Sequence, residues 1–322
     1  MRIILAGPRG FCAGVNMAIE SLDLAIQTFG PPIYVFHEIV HNRHVVESFC
    51  EKGALFVESL ETVPGGAIVL FSAHGVSPAL RRQAARRGIK AIDATCPLVT
   101  KVHLEARRFA RDGYAIVLIG HRGHDEVVGA LGEAPEAMHL VETVADVDQL
   151  DLPVDARVAY LTQTTLSVHD AEEIIDRLRQ RFAHLTARPR HDICYATQNR
   201  QQAVRVLAAE ADVVLVVGSQ NSSNSRRLQE IAAACGVAAY LIDGPEDIRG
   251  AWFHAAKTVL VTAGASAPES IVKRCIDYLR EQFQARVETR SLHDERTRFP
   301  LPEPLRAAAR DGARPDRPSP CP

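Results

Sequence analysis

Gly7-Pro8-Arg9-Gly10-Phe11-Cys12-Ala13-Gly14-Val15 decides how the rest of the chain is read, because it sets a cysteine between a buried strand and the first turn of a helix. The strand is the apolar run Ile3-Ile4-Leu5-Ala6. Beyond Cys12, apolar side chains at Val15, Ala18, Ile19, Leu22 and Ile26 recur at helical spacing. A thiol at that junction lies among free backbone N–H groups and at the positive end of the helix dipole, both of which favour the thiolate. Such a thiolate serves as a nucleophile, a redox thiol or a metal ligand. A lone cysteine is as readily a small core residue, so the stretch by itself does not choose.

The junction recurs. Cys96 precedes a helix opened by Pro97, with Val99, Val102, Ala106 and Phe109 on one face. Cys194 precedes a helix carrying Ala203, Val206, Leu207 and Glu210. Each helix leads to a β-branched strand: Ile33 to Phe36, Ala115 to Ile119 and Val213 to Val217. A polar loop and another helix follow each time, then a third strand (Leu55 to Val57, Met138 to Val141, Ala239 to Ile242). A fourth strand completes each unit (Ala67 to Phe71, Val158 to Leu161, Thr258 to Val261). Cys12 and Cys96 are 84 residues apart and Cys96 and Cys194 are 98 apart, and Asn42, Glu126 and Asn224 repeat the same two offsets. The expected fold is therefore α/β: three similar parallel-sheet lobes in a pseudo-threefold trefoil, with a thiol from each lobe at the centre. The lobes are drawn at residues 1–96, 97–192 and 193–285, with a C-terminal segment at 286–322 and a disordered tail from about residue 303.

Composition narrows the function classes. The chain has 322 residues and a formal net charge of −2, which gives no long-range reason to expect nucleic acid or a membrane surface as partner. No apolar run reaches membrane-span length, and the seven cysteines are scattered, so a cytoplasmic protein with reduced or metal-bound thiols is expected. Cys50, Cys235 and Cys275 fall in helical patterns and are read as core residues, and Cys321 as an exposed bystander in the tail.

In parallel α/β sheets ligands bind beyond the carboxyl ends of the strands, where this repeat places its polar loops. His41, Asn42, His74, Ser222, Ser223, Asn224 and Ser266 offer neutral or protonatable donors suited to a phosphate or diphosphate. His124 and Glu126 can also move protons, and a partly desolvated glutamate beside an anion is a plausible general acid. Three separated cysteines can hold zinc, completed by a histidine, or an iron–sulfur cluster with one iron lacking a thiolate. No close C-x-x-C pair exists, which favours a cluster at a junction of lobes. His37-Glu38-Ile39-Val40-His41 matches the H-E-x-x-H pattern of zinc peptidases, but that pattern works only on a helix and His37 directly follows a strand. His37 is read as ending that strand.

The opening stretch, together with Ile39-Val40-His41-Asn42, Ser72-Ala73-His74-Gly75-Val76-Ser77, Asp93-Ala94-Thr95-Cys96-Pro97, Gly120-His121-Arg122-Gly123-His124-Asp125-Glu126, Thr162-Gln163-Thr164-Thr165-Leu166-Ser167, Ile193-Cys194-Tyr195-Ala196-Thr197-Gln198-Asn199-Arg200 and Ser219-Gln220-Asn221-Ser222-Ser223-Asn224-Ser225, resembles the 4-hydroxy-3-methylbut-2-enyl diphosphate reductase family. This family ends the non-mevalonate isoprenoid pathway, and the likeness spans about residues 1 to 302. It implies an oxygen-sensitive 4Fe-4S cluster on Cys12, Cys96 and Cys194, found as 3Fe-4S if the open iron is lost. It implies that His41, His74, Ser222, Ser223, Asn224 and Ser266 hold the diphosphate of the small allylic substrate, and that Thr164, His124 and Glu126 form a proton relay. The implied reaction is reductive dehydroxylation to isopentenyl and dimethylallyl diphosphate. No flavin or nicotinamide fingerprint is present, so a ferredoxin or flavodoxin is the implied electron donor, with the basic run Arg81, Arg82, Arg86, Arg87 and Lys90 as a docking face. The departures from the family pattern are Gln198, where a second threonine is common, and the extension past Glu303. An iron–sulfur sensor and a zinc-stabilised structural protein are the rival classes.

Overall fold

The computed structural model describes residues 1–186 and 192–312. In chain order its elements begin β1 (Arg2–Gly7), α1 (Ala13–Phe29), β2 (Ile33–Phe36), α2 (Arg43–Glu51), β3 (Ala54–Val57), β4 (Ile68–Phe71), α3 (Pro78–Arg86) and β5 (Lys90–Asp93). The middle third carries α4 (Pro97–Arg111), β6 (Ala115–Ile119), α5 (Asp125–Leu131), β7 (Met138–Val141), α6 (Val144–Gln149), β8 (Arg157–Thr162), α7 (Val168–Arg181) and β9 (His184–Thr186). The last third carries α8 (Tyr195–Ala208), β10 (Val213–Val217), α9 (Ser223–Ala234), β11 (Ala238–Ile242), β12 (Thr258–Ala263), α10 (Glu269–Phe283), β13 (Arg286–Ser291) and α11 (Glu303–Gly312).

Three sheets result, ordered β3-β2-β4-β5, β7-β6-β8-β9 and β11-β10-β12-β1-β13. Every pairing is parallel. Helices cover both faces, so strands such as β10 are buried along their whole length, as continuous Val/Leu runs require. No described helix is long and apolar enough to cross a membrane.

The lobe boundaries drawn from the repeat need correction at both ends. β1 does not belong to the first lobe: Arg2 to Leu5 pair with Thr258 to Val261 of β12. It occupies in the third sheet the place that β5 and β9 occupy in the other two. Each cysteine therefore follows the fourth strand of one sheet, and its helix carries the chain to the next sheet, α1 from third to first, α4 from first to second, α8 from second to third. The segment after residue 285 is not an appendage, since β13 pairs with β1 from Arg2↔Arg286 to Gly7↔Ser291.

The tail expected to be disordered from about residue 303 forms α11 as far as Gly312. Ala and Arg are strong helix formers, and one apolar anchor suffices: Leu305 is fully buried in the core built by α1 and the first sheet, beside Val15 and Leu22. Cys321 lies outside the described residues. Of the three cysteines read as core, only Cys275 is buried. Cys50 and Cys235 are exposed, because they sit on outward faces at helix ends.

Candidate functional site

Cys12, Cys96 and Cys194 occupy the cap position before α1, α4 and α8, and all three line one cavity. The first turn of α1 is pressed against the thiols: a Cβ added at Gly14 would lie 2.6 Å from Cys96 Sγ and 4.0 Å from Cys12 Sγ. The Cys194 thiol donates to Thr197 Oγ1 at 3.1 Å, and the Thr197 N–H points back at the sulfur at 3.3 Å. Burial pushes the Cys96 thiol up to about 12 and the Cys194 thiol to about 11, with the neighbouring Cys12 adding to both. Three neighbouring thiols at helix ends that favour anions, two of them resisting ionisation, form a soft donor set that a cationic metal centre would deprotonate and satisfy. The residues fit a thiolate-bound metal group.

Beside the thiols stands Glu126 in the first turn of α5, 3% exposed. Its two carboxylate oxygens accept from Thr164 N–H at 2.7 Å and Thr164 Oγ1 at 2.9 Å. Burial pushes this carboxyl up to about 7 despite those two hydrogen bonds, and the charge of Asp192 adds to the rise. His124 caps α5 through Nδ1, which accepts the Glu126 N–H at 3.2 Å. Burial, then the charge of His41, pushes His124 down to about 4.

The rim is built from all three lobes. His41 and His74 stack with ring centroids 4.0 Å apart, and His124 meets them edge-on at 5.4 and 5.9 Å. Burial, then the charges of His41, His124 and His37, hold His74 well below the usual histidine range. Opposite them Ser222 caps α9, and the Ser266 hydroxyl reaches the His41 carbonyl at 2.9 Å and Ser222 Oγ at 3.4 Å. Asn224 is 3% exposed, and neither its Oδ1 nor its Nδ2 has a hydrogen-bond partner. Buried amide atoms without partners are costly unless a ligand completes them.

All twelve site residues predicted from the sequence line this cavity: the three cysteines, His41, His74, His124, Glu126, Thr164, Ser222, Ser223, Asn224 and Ser266. Asn42 is not among the lining residues; its side chain accepts from Val45 N–H and caps α2. Several neighbours escaped the sequence reading. Thr165 Oγ1 lies 3.2 Å from Ser223 Oγ, joining the second lobe to the third. Glu38 bridges His41 Nδ1 at 3.2 Å and Asn221 Nδ2 at 2.8 Å, joining the first lobe to the third. Phe299 covers the cavity from the segment after β13. That segment is held by Arg200, fully buried, which donates to Glu295 at 3.0 Å and to the Gly10 carbonyl in the Cys12 loop at 2.8 Å.

Comparison with known proteins places this arrangement among relatives. A family model described as LytB protein matches residues 3–280. A 4-hydroxy-3-methylbut-2-enyl diphosphate reductase of Rhodopirellula baltica is 60% identical over 313 residues, which is 97% of this chain and 98% of that protein. A reductase of the same name from Saccharophagus degradans is 54% identical over 311 residues, 95% and 100% of the two chains. Among solved structures, the E-1-hydroxy-2-methyl-but-2-enyl-4-diphosphate reductase from Plasmodium falciparum superposes with a TM-score of 0.94 at 38% identity, covering 97% of this chain and 98% of its own. A second structure, described as (E)-4-hydroxy-3-methyl-but-2-enyl diphosphate reductase, the terminal enzyme of the non-mevalonate pathway, gives a TM-score of 0.64 at 31% identity over 87% and 100%.

Proposed function

The chain belongs to the LytB protein family, and on that premise we propose that it reduces (E)-4-hydroxy-3-methylbut-2-enyl diphosphate to isopentenyl and dimethylallyl diphosphate. The observation that carries the reading is the convergence of three cap-position cysteines on a cavity that is also lined by a cluster of histidines and by Asn224, whose amide has no partner. Cys12, Cys96 and Cys194 would hold a 4Fe-4S cluster, which supplies single electrons and a Lewis-acidic iron when bound.

The remaining steps belong to the side chains. His41, His74, Ser222, Ser223, Asn224 and Ser266 bind the diphosphate with donors that are mostly neutral, and so orient the allylic end toward the thiols. Glu126, protonated below about pH 7, donates through Thr164 Oγ1 to the departing hydroxyl, and His124 sets the first turn of α5 that presents it. Phe299, Val15, Val40 and Val99 close the cavity with apolar surface and keep bulk water from the reacting carbons. A zinc-stabilised structural protein or an iron–sulfur sensor has no use for this acid or for the anion-binding wall.

The electrons come from outside, from a ferredoxin or flavodoxin. In the basic run from α3 to the start of β5, Arg81 pairs with Asp93 at 2.9 Å and Arg87 donates to the Glu61 and Val63 carbonyls, which leaves Arg82, Arg86 and Lys90 to face an acidic donor. Reversing those three charges is expected to raise KM for a protein donor and not for a small chemical reductant.

The central test is anaerobic purification with iron, sulfide and Mössbauer analysis, with and without the diphosphate substrate. Four irons, one of them distinct and altered by substrate, together with formation of the two products, support the reading. Each single Cys→Ser change at positions 12, 96 and 194 should lower iron content, whereas Cys50→Ser, on the exposed face of α2, should not. Zinc in place of iron, or substrate that leaves every iron unchanged, would refute it.

A further inference from the structure

The H-E-x-x-H pattern at residues 37–41 is not a zinc-peptidase helix. His37 has a backbone φ of 55° and lies between β2 and α2. Its side chain instead crosses a lobe boundary. The ring stacks on Phe36 with centroids 4.0 Å apart, and Nδ1 lies 2.7 Å from Asp125 Oδ1 at the start of α5. The other carboxylate oxygen of Asp125 is 3.9 Å from His74 Nδ1. One donor atom each from Asp125, His41 and His74 lies within 4.8 Å of the other two. The two imidazole planes differ by only 16°, so their in-plane lone pairs do not converge on one ion. What the arrangement does is set a carboxylate against the histidines that face the diphosphate.

A bare carboxylate at that place opposes an anionic ligand. His37 is its direct partner at 2.7 Å, since His41 is engaged by Glu38 and burial works against a charge on His74 and His124. We propose that His37 is a charge-compensating residue for the diphosphate site, holding Asp125 from the neighbouring lobe in a neutral pair so that the carboxylate beside His74 does not repel the substrate. This rests on the reading of His41 and His74 as diphosphate ligands.

The groups facing the pair are consistent with that role. His37 is raised by its hydrogen bond to Asp125, against the opposing effect of burial, with smaller help from Asp125's charge and from Glu58, 3.6 Å from Nε2. Burial works against the Asp125 carboxylate, yet the hydrogen bond to His37 and the charges of His37, His41 and His124 hold it below the usual range. Both shifts run toward the ionised pair, and the 2.7 Å contact sets the two groups side by side. Asparagine tolerates the left-handed backbone at position 37 and keeps a donor for Asp125 while removing the charge.

The test measures the substrate dissociation constant of the anaerobic holoenzyme at neutral pH for the parent, His37→Asn, Asp125→Asn, the double variant and His74→Asn. His37→Asn is expected to weaken binding by about tenfold, from one uncompensated charge beside a polyanion. Asp125→Asn should bind at least as tightly as the parent. The double variant should return to within about threefold of Asp125→Asn. A double variant as weak as His37→Asn would overturn the inference, because a pair that serves only as a mechanical latch cannot be restored by removing both halves. His74→Asn separates the two layers of argument. If it leaves binding unchanged, the diphosphate assignment itself fails; if it weakens binding while the double variant is not restored, only the compensation fails.

Discussion

Replacing Glu126 by glutamine tests the acid without dismantling its surroundings. The amide oxygen can still accept from Thr164 N–H, and the Thr164 hydroxyl can rotate to accept from the new NH₂, so the 2.7 and 2.9 Å contacts have neutral counterparts. A positioned general acid contributes about 10² to 10⁴ in rate, so kcat should fall by that factor while KM and iron content stay near those of the parent. The parent's own rate should decline as pH rises through about 7, where the buried carboxyl loses its proton. The same variant has a second signature. Lifting the carboxyl from 4.5 to about 7 corresponds to about 3 kcal/mol, a contribution that is fully present below pH 4.5 and is lost as pH rises through about 7. Glutamine does not ionise, so between pH 4.5 and 8 Glu126→Gln should gain stability relative to the parent by about 3 kcal/mol. Single-turnover product formation gives the first quantity and denaturant unfolding across pH gives the second. A kcat within threefold of the parent would refute the acid role, and a pH-independent stability difference would refute the burial that raises it.

Three further outcomes follow from the geometry. Gly14→Ala sets a methyl 2.6 Å from Cys96 Sγ, so cluster content should fall sharply while the fold persists, read as iron per chain against circular dichroism. Asn224→Leu removes two buried amide atoms that have no partner in the free protein. The ligand-free form should be at least as stable, by up to about 1–3 kcal/mol, while KM rises about 10- to 100-fold from lost hydrogen bonds to a charged group. Arg200→Met strips the Gly10 carbonyl of this donor and leaves the part-buried Glu295 only the Asn199 amide, and losing hydrogen bonds to such a charged group should cost about 1.5–3 kcal/mol. A melting temperature within a degree of the parent would show that this clamp does not hold the C-terminal segment.

What could be read from the sequence was what repeats. The three thiols, three polar loops and nine of the thirteen strands recur along the chain, β1 was legible as an apolar run, and the twelve site residues inferred do share one cavity. The missed strands are β5, β9 and β13, each at a sheet edge and each with charged or polar residues such as Lys90, Asp93, His184, Arg286 and Glu288. An edge strand is half solvated and tolerates charges that a central strand excludes, so its pattern resembles a loop. Leu305 was hidden for the opposite reason: one buried anchor in an Ala- and Arg-rich run does not change its average composition. The His37–Asp125 and Glu38–Asn221 pairs had no signal at all, since each joins residues from different lobes.

The placement of β1 ties these observations together. A repeat of strand, cysteine and helix can close into a ring only if the strand before the first cysteine completes the sheet after the last one, and β1 does so by inserting between β12 and β13. Cys12 is therefore positioned by residues from the last third of the chain, through the β1 pairings and through Arg200, which joins the Gly10 carbonyl to Glu295. Closing so long a loop costs only slightly more entropy than closing a short one, because that cost grows with the logarithm of length. Cys96 and Cys194 follow strands paired with neighbours close in sequence, whereas Cys12 follows a strand whose two partners come from the last third of the chain. A metal centre bound to all three thiols then binds only the closed ring, and its binding free energy becomes part of the stability of that closure.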